Sequence, residues 1–177
     1  TDTDSRTANR QNLGITSHLA SVYGQYALGD GDFVQGSLGA GFNDNDSLRR
    51  ITIGTFDRTA LGEYESFLTH VSSAYGKRYQ LSDQIAFSPK VSVSYTHIDV
   101  DGYIETGAGG VNLNVASNSG ESLVLGVDGT GSYALDTKGR YVLSVNGGVG
   151  YNLMNDRPTT TSSLTGGGGT FTTPGAK

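Results

Sequence analysis

The chain has 177 residues, 35% of them hydrophobic, with 27 glycines, 10 tyrosines, 3 prolines and neither cysteine nor tryptophan. Lack of cysteine excludes disulfide frameworks and thiolate metal sites, a net charge of -5 without a basic cluster argues against a nucleic-acid partner, and glycines without a G-X-Y period exclude collagen. Mean hydropathy is -0.30 and no apolar run approaches the roughly 20 residues of a membrane helix, which leaves membrane-spanning strands open, because alternation averages to mild hydropathy.

The opening TDTDSRTANRQN is polar and reads as a loop or cut point rather than a leader. From Leu13 to Leu28 no charged residue occurs, and none from Phe33 to Phe42; the two runs flank GDGD at 29–32, which predicts a β-hairpin. Both parities of these runs mix small and apolar residues. A polar connection is expected at 43–63, carrying Asp44, Asp46, Arg49, Arg50, Asp57, Arg58 and Glu63. A third run leads to the turn LSDQ at 81–84. The run after it, FSPKVSVSYTH, puts Phe87, Pro89, Val91, Val93, Tyr95 and His97 on one face and Ser88, Lys90, Ser92, Ser94 and Thr96 on the other.

After a second polar connection at 98–122, Leu123, Leu125, Val127 and Tyr133 share a face with Gly129 and Gly131, opposite Asp128, Thr130 and Ser132. The turn DTKG at 136–139 leads into a run whose apolar face is Tyr141, Leu143, Val145, Val149, Tyr151 and Leu153, opposite Ser144, Asn146 and Asn152. A third polar connection follows at 155–170. Three short turns at one end and three long connections at the other is the segregation of outer-membrane barrels, whose short turns are periplasmic.

Strand length agrees with this reading. Residues 85–97 extend roughly 43 Å, or about 33 Å along the normal at a 40° tilt, enough for an apolar band of about 25 Å. Aromatics flank each short turn (Tyr26 and Phe33, Tyr79 and Phe87, Tyr133 and Tyr141), and Phe42, Tyr95 and Tyr151 stand at the other ends, as in two interfacial girdles. The polar faces are Ser, Thr, Asn and Gly rather than Lys, Glu and Arg, which suits a narrow wet lumen. The expected lipid face is therefore Phe87, Val91, Val93, Tyr95, Leu123, Leu125, Val127, Tyr133, Tyr141, Leu143, Val145, Val149 and Tyr151.

Two register expectations follow. Closure near i + j = 218 would set Lys90 against Asp128, and i + j = 274 at the DTKG turn would set Asp128 against Asn146, giving an interior cluster of Lys90, Asp128 and Asn146. A register two residues away would leave each group simply hydrated.

The stretch from Phe87 to Ala108, with Pro89, Tyr95 and then DGYIETGAG (Gly102, Tyr103, Glu105, Gly107, Ala108), resembles the translocator β-domain of autotransporters. YGQYALGDGDFVQGSLGAGF resembles that family's paired strands, and GVGYNLMNDRPTTTSSLTGGGGTF its late strand and following loop. The resemblance implies an antiparallel up-and-down transmembrane barrel of about twelve strands, of which about six long ones are present here. It implies residence in the bacterial outer membrane, export and anchoring of an N-terminal passenger, and contacts with outer-membrane lipid and the assembly machinery. Residues 1–177 are expected to be a single barrel domain lacking its opening and C-terminal strands, since an open sheet would expose unpaired edges to lipid. A porin or OmpA-type barrel is the alternative, and a soluble β-sandwich adhesin or carbohydrate-binding module comes third.

No catalytic set, cofactor or metal is expected. GAGG at 107–110 and GGGG at 166–169 lack a following helix pattern. His18, His70 and His97 have no partners at ligand spacing, and DVDG at 99–102 starts like a calcium loop but has Gly110 where the closing Glu is required. Glu105 is expected near the extracellular rim as a hydrogen-bonded loop carboxylate, ahead of a role in gating.

Overall fold

A computed structural model describes residues 11–136, 140–154 and 158–175. Residues 1–10 of the polar opening, part of the DTKG turn and the start of the third polar connection lie outside them, while Gln11 and Asn12, expected in a loop, already pair with β2. Alternation produces six long strands: β1 (Gln11–Gly29), β2 (Asp32–Ile53), β3 (Phe56–Lys77), β5 (Ile85–Val100), β8 (Asn118–Ala134) and β9 (Val142–Asn152), with a two-residue β4 (Tyr79–Gln80) beside β5. They lie side by side in chain order, every pair antiparallel, an up-and-down sheet. Among the described residues β1 and β9 do not meet, so the sheet is not closed into a barrel.

The GDGD turn is built on Asp30 (φ 51°) and Gly31 (φ 85°), the left-handed pair that matches strand twist in a two-residue hairpin. A Cβ on Gly31 would stand 2.4 Å from the Arg78 carbonyl oxygen, so this turn also admits a neighbour that only glycine can. That neighbour follows from the β2–β3 register, which sets Arg78 opposite Gly31. The β3–β5 ladder stops at Gly76↔Lys90 and resumes as β4–β5 at Tyr79↔Phe87, skipping the position opposite the proline. Proline offers no N–H to a ladder. Arg78 donates its N–H to Gly31 O (2.8 Å), one pair beyond Asp32↔Lys77 in the same register.

The first polar connection, expected at 43–63, is instead the upper half of one tall hairpin. β2 and β3 pair without a slip from Asp32↔Lys77 to Ile53↔Phe56, turning at Gly54 (φ 61°). Twenty-two residues per strand reach roughly 70 Å, far beyond a bilayer's apolar band. At the tip the Arg50 guanidinium donates to Asp57 (Nε–Oδ1 3.1 Å) and holds that carboxyl below its ordinary value of 3.8. A lowered folded pKa means the contact stabilises the tip above the unfolded value and is lost as pH falls through the folded one. Titration of the Asp57 carboxyl by NMR is expected to show a midpoint below 3.8, with the amides near Gly54 broadening only below it.

The described residues of the other two connections also form short strands. β6 (Tyr103–Ile104), a 3-10 turn (Gly109–Val111) and β7 (Leu113–Val115) lie between β5 and β8, while β10 (Thr159–Leu164) and β11 (Phe171–Pro174) follow β9. These short strands pair in the order β6-β7-β10-β11. β6 follows β5 in sequence after residues 101–102 and β7 precedes β8 across 116–117, so the small sheet continues the wall upward. It joins the tall hairpin edge-on through the bridge Leu61↔Thr106.

Candidate functional site

The register sorts every strand into two faces. Lys90, Ser92, Ser94 and Thr96 of β5 lie level with Gly76, Ala74, Ser72 and His70 of β3 and with Asp128, Gly126, Val124 and Ser122 of β8. This polar face carries side-chain bonds between strands: Ser37 Oγ to Ser72 Oγ 2.7 Å, His70 Nδ1 to Thr96 Oγ1 2.9 Å, and Gln35 Nε2 donating to Gln25 Oε1 at 2.9 Å. A groove runs along it past Gln25, Gln35, His70, Ser72, Lys90 and Ser94. The opposite face presents Phe87, Val91, Val93, Tyr95, Leu123, Leu125, Val127, Tyr133, Leu143, Val145, Val149 and Tyr151, from partly exposed to 78% exposed at Val149. Tyr141, next to β9, is exposed as well.

Lys90 stands opposite Asp128 with Nζ 3.2 Å from Oδ1, at 29% and 33% exposure. Asn146 corrects the other register expectation. It faces Thr130, whose hydroxyl donates to Asn146 Oδ1 (2.6 Å), while Asp128 faces Gly148. Leu135 N–H to Tyr141 O and Arg140 N–H to Asp136 Oδ1 centre the hairpin one residue later than the sequence reading had it, which slides the pairing by two. The Asp128→Ala variant is expected to cost about 0.5–1 kcal/mol, because both partners keep contact with water; urea unfolding of a barrel carrying this chain reads it.

Phe33 departs from the expected aromatic girdle. Its register places it on the polar face, where its ring covers Gly76 so closely that a Cβ there would be 2.4 Å away. Tyr79 and Phe87 pair on the apolar face near the short turns, and Phe42 and Phe67 meet there at 4.7 Å near the other end. Tyr95 donates its hydroxyl to Glu121 (2.9 Å), and His97 Nε2 lies 2.9 Å from Asp99 at the same rim.

The motif residues gather at the seam between the tall hairpin and the small sheet. Glu105, 3% exposed, accepts Arg49 Nε at 3.0 Å on one oxygen, and both Arg49 Nη2 and the Leu113 N–H (2.8 Å) on the other. Arg49 also donates to Val111 O at 3.0 Å. Charge-assisted bidentate bonds of this kind are the strong ones. Beside them Tyr103 stacks on Tyr64, centroids 4.6 Å apart and nearly parallel. A Cβ on Gly62 would fall 2.5 Å from the Tyr103 ring, and one on Gly107 (φ 93°) 2.6 Å from Thr59 O. Gly102 is equally enclosed by Val115 and Ala116–Ser117 backbone. Ile51, Ala60 and Ala108 are buried together with Val111 against them.

Arg49 and Tyr64 belong to this cluster and were not singled out from the sequence. No alternation marks them: Asn43, Asn45, Ser47 and Arg49 share the inner parity of Gln35 and Ser37, but Asp44, Asp46 and Arg50 on the other parity are as polar. Among the described residues no three His, Asp or Glu side chains gather as metal ligands, and no helix is long and apolar enough to cross a membrane.

The model of the autotransporter beta-domain family matches residues 1–177. The chain is 30% identical over 125 residues to proteins named Esterase EstA from Pseudomonas aeruginosa and from Pseudomonas putida; the match covers 68% of this chain and 19% of each relative. The chain thus matches about a fifth of the length of those relatives. Among solved structures, the translocator domain of autotransporter NalP from Neisseria meningitidis matches with a TM-score of 0.66 at 17% identity, over 98% of this chain and 65% of that one.

Proposed function

The chain belongs to the autotransporter β-domain family, whose members are outer-membrane translocator β-barrels of Gram-negative bacteria, and we propose that it exports and then anchors a passenger segment of its own polypeptide. The observation that supports this best is the division of β5, β8 and β9 into an apolar outer face and an inner face rich in hydroxyl, amide and glycine, where Lys90 and Asp128 compensate each other. An inner face of this kind offers an unfolded chain water and weak hydrogen bonds but no strong sticking point.

In this reading the apolar face sits in outer-membrane lipid and the assembly machinery inserts the barrel. Residues 1–177 act as one domain, and further strands close the edges of β1 and β9, because unpaired edges are prohibitive in lipid. The domain itself performs no bond chemistry. The esterase named in the relatives would belong to the four-fifths of those proteins outside the match.

The test uses a closed barrel carrying this chain behind a reporter passenger in a Gram-negative host. The passenger is expected to be cut by protease added to intact cells. Removing residues 11–175 is expected to leave it protected in the periplasm, and a passenger still exposed after that deletion would overturn the proposal.

A further inference from the structure

Above the bilayer the wall changes partners. Below, β3 is held to β5 by an uninterrupted ladder from Ser66↔Val100 to Gly76↔Lys90. Above, its edge meets the returning chain through few backbone bonds: Asp101 N–H to Glu65 O (3.0 Å) and the reciprocal Leu61–Thr106 pair (2.9 and 2.8 Å). A seam so lightly laddered could be a gate. Its side chains argue otherwise.

Arg49, Ala60, Gly62 and Tyr64 share the inner parity of β2 and β3, and the incoming segment seats Glu105, Ala108 and Tyr103 against them. Opening the seam would leave a 3%-exposed carboxylate without its guanidinium, separate two stacked rings and expose a small apolar cluster. Removing one partner of a buried pair costs several kcal/mol. The next connection reinforces the seat, since Thr165 and Gly166 N–H groups bond Asn112 O and Gly110 O (both 2.9 Å).

We propose that the segment Asp101–Ser117, clamped by Arg49–Glu105, is a fixed collar of the extracellular mouth: the passenger, an extended polypeptide, slides past it while the seam stays shut. This rests on the translocator reading above. Arg49 and Glu105 are positioning residues that hold the collar, and no part of the passenger need touch them.

The chain contains no cysteine, so a pair introduced at Leu61→Cys and Thr106→Cys is unambiguous. Reciprocally bonded antiparallel partners have Cα atoms about 5.5 Å apart, within disulfide reach. The oxidised seam is expected to display passenger on intact cells within about twofold of the reduced protein, and a loss of roughly tenfold or more that reductant restores would overturn the fixed collar in favour of a gate. A second variant, Gly62→Val, forces Tyr103 off its seat. Normalised to the heat-modifiable folded band, it is expected to lower display by about tenfold; undiminished display with residues 101–117 newly protease-sensitive would equally overturn the proposal. Failure of the reduced, unlocked protein to display passenger at all would instead count against the translocator function.

Discussion

Replacing Glu105 by alanine is expected to destabilise the extracellular half of the wall by about 3–5 kcal/mol, the cost of breaking a buried ion pair from one side. The variant removes both bonds to Arg49 and the acceptor of the Leu113 N–H. Arg49 is 22% exposed and keeps its bond to Val111 O, so the lower end of that range is the better expectation. Glu105→Gln preserves shape and one acceptor and should cost about 1–2 kcal/mol. The double variant Arg49→Met with Glu105→Leu should recover most of the loss, since well-packed apolar replacements of a buried pair are often neutral. Hydrogen exchange at the amides of Glu105, Thr106 and Leu113 reads the effect directly. Wild-type protection in Glu105→Ala would show that the carboxylate does not hold the collar.

The second large effect belongs to the proposed lipid face. Val127 lies opposite Val91 and Val149, between the Tyr133 and Leu123 ends of its strand, and is 58% exposed. Arginine at such a mid-height position costs about 2–4 kcal/mol, because its charge must be desolvated or drawn to an interface. Ser94→Arg is the matched control. Ser94 faces the polar side between Ser72 and Val124, where water can reach the new charge, and should shift stability by no more than about 1 kcal/mol. Urea titrations of a closed barrel folded into lipid vesicles measure both. Equal penalties would mean that the two faces do not differ in solvent.

How much of this was legible beforehand depended on what surrounds each strand. Residues 85–97 and 123–134 could be read residue by residue because one apolar and one polar face, as the proposed lipid and water on opposite sides would demand, alternate with period two. The same physics hid the upper half of β2 and β3. Beyond the membrane both faces are wet, so Asp44, Asp46, Arg49 and Arg50 carry no alternation of polarity and look like a loop, although the ladder from Phe42↔Phe67 to Ile53↔Phe56 is unbroken.

The Lys90–Asp128 contact was accessible because both residues are charges with nowhere to go but inward, whereas Asn146 was displaced by a hairpin centred one residue further on. Register is set by turn geometry, and a polar four-residue turn leaves a choice that composition does not make. Glu105 was legible only as a motif carboxylate. Its partner Arg49 lies 56 residues upstream in a stretch whose composition reads as a loop, and only the tall hairpin brings the pair together. β1 remained ambiguous for a different reason: Leu13, Ile15, Leu19 and Tyr23 on the inner parity are as apolar as Val22 and Tyr26 on the other, and all are exposed at the edge of an open sheet.

The central claim is that the apolar face of FSPKVSVSYTH meets lipid and the polar face lines a watery passage. Single cysteines placed from Ser88 to Thr96 in this cysteine-free chain, within a closed barrel in membranes, test it most directly. A water-soluble maleimide should label positions 90, 92 and 94 and leave 91, 93 and 95 to a lipid-soluble reagent. Labelling with the opposite parity, or with none, would contradict the account.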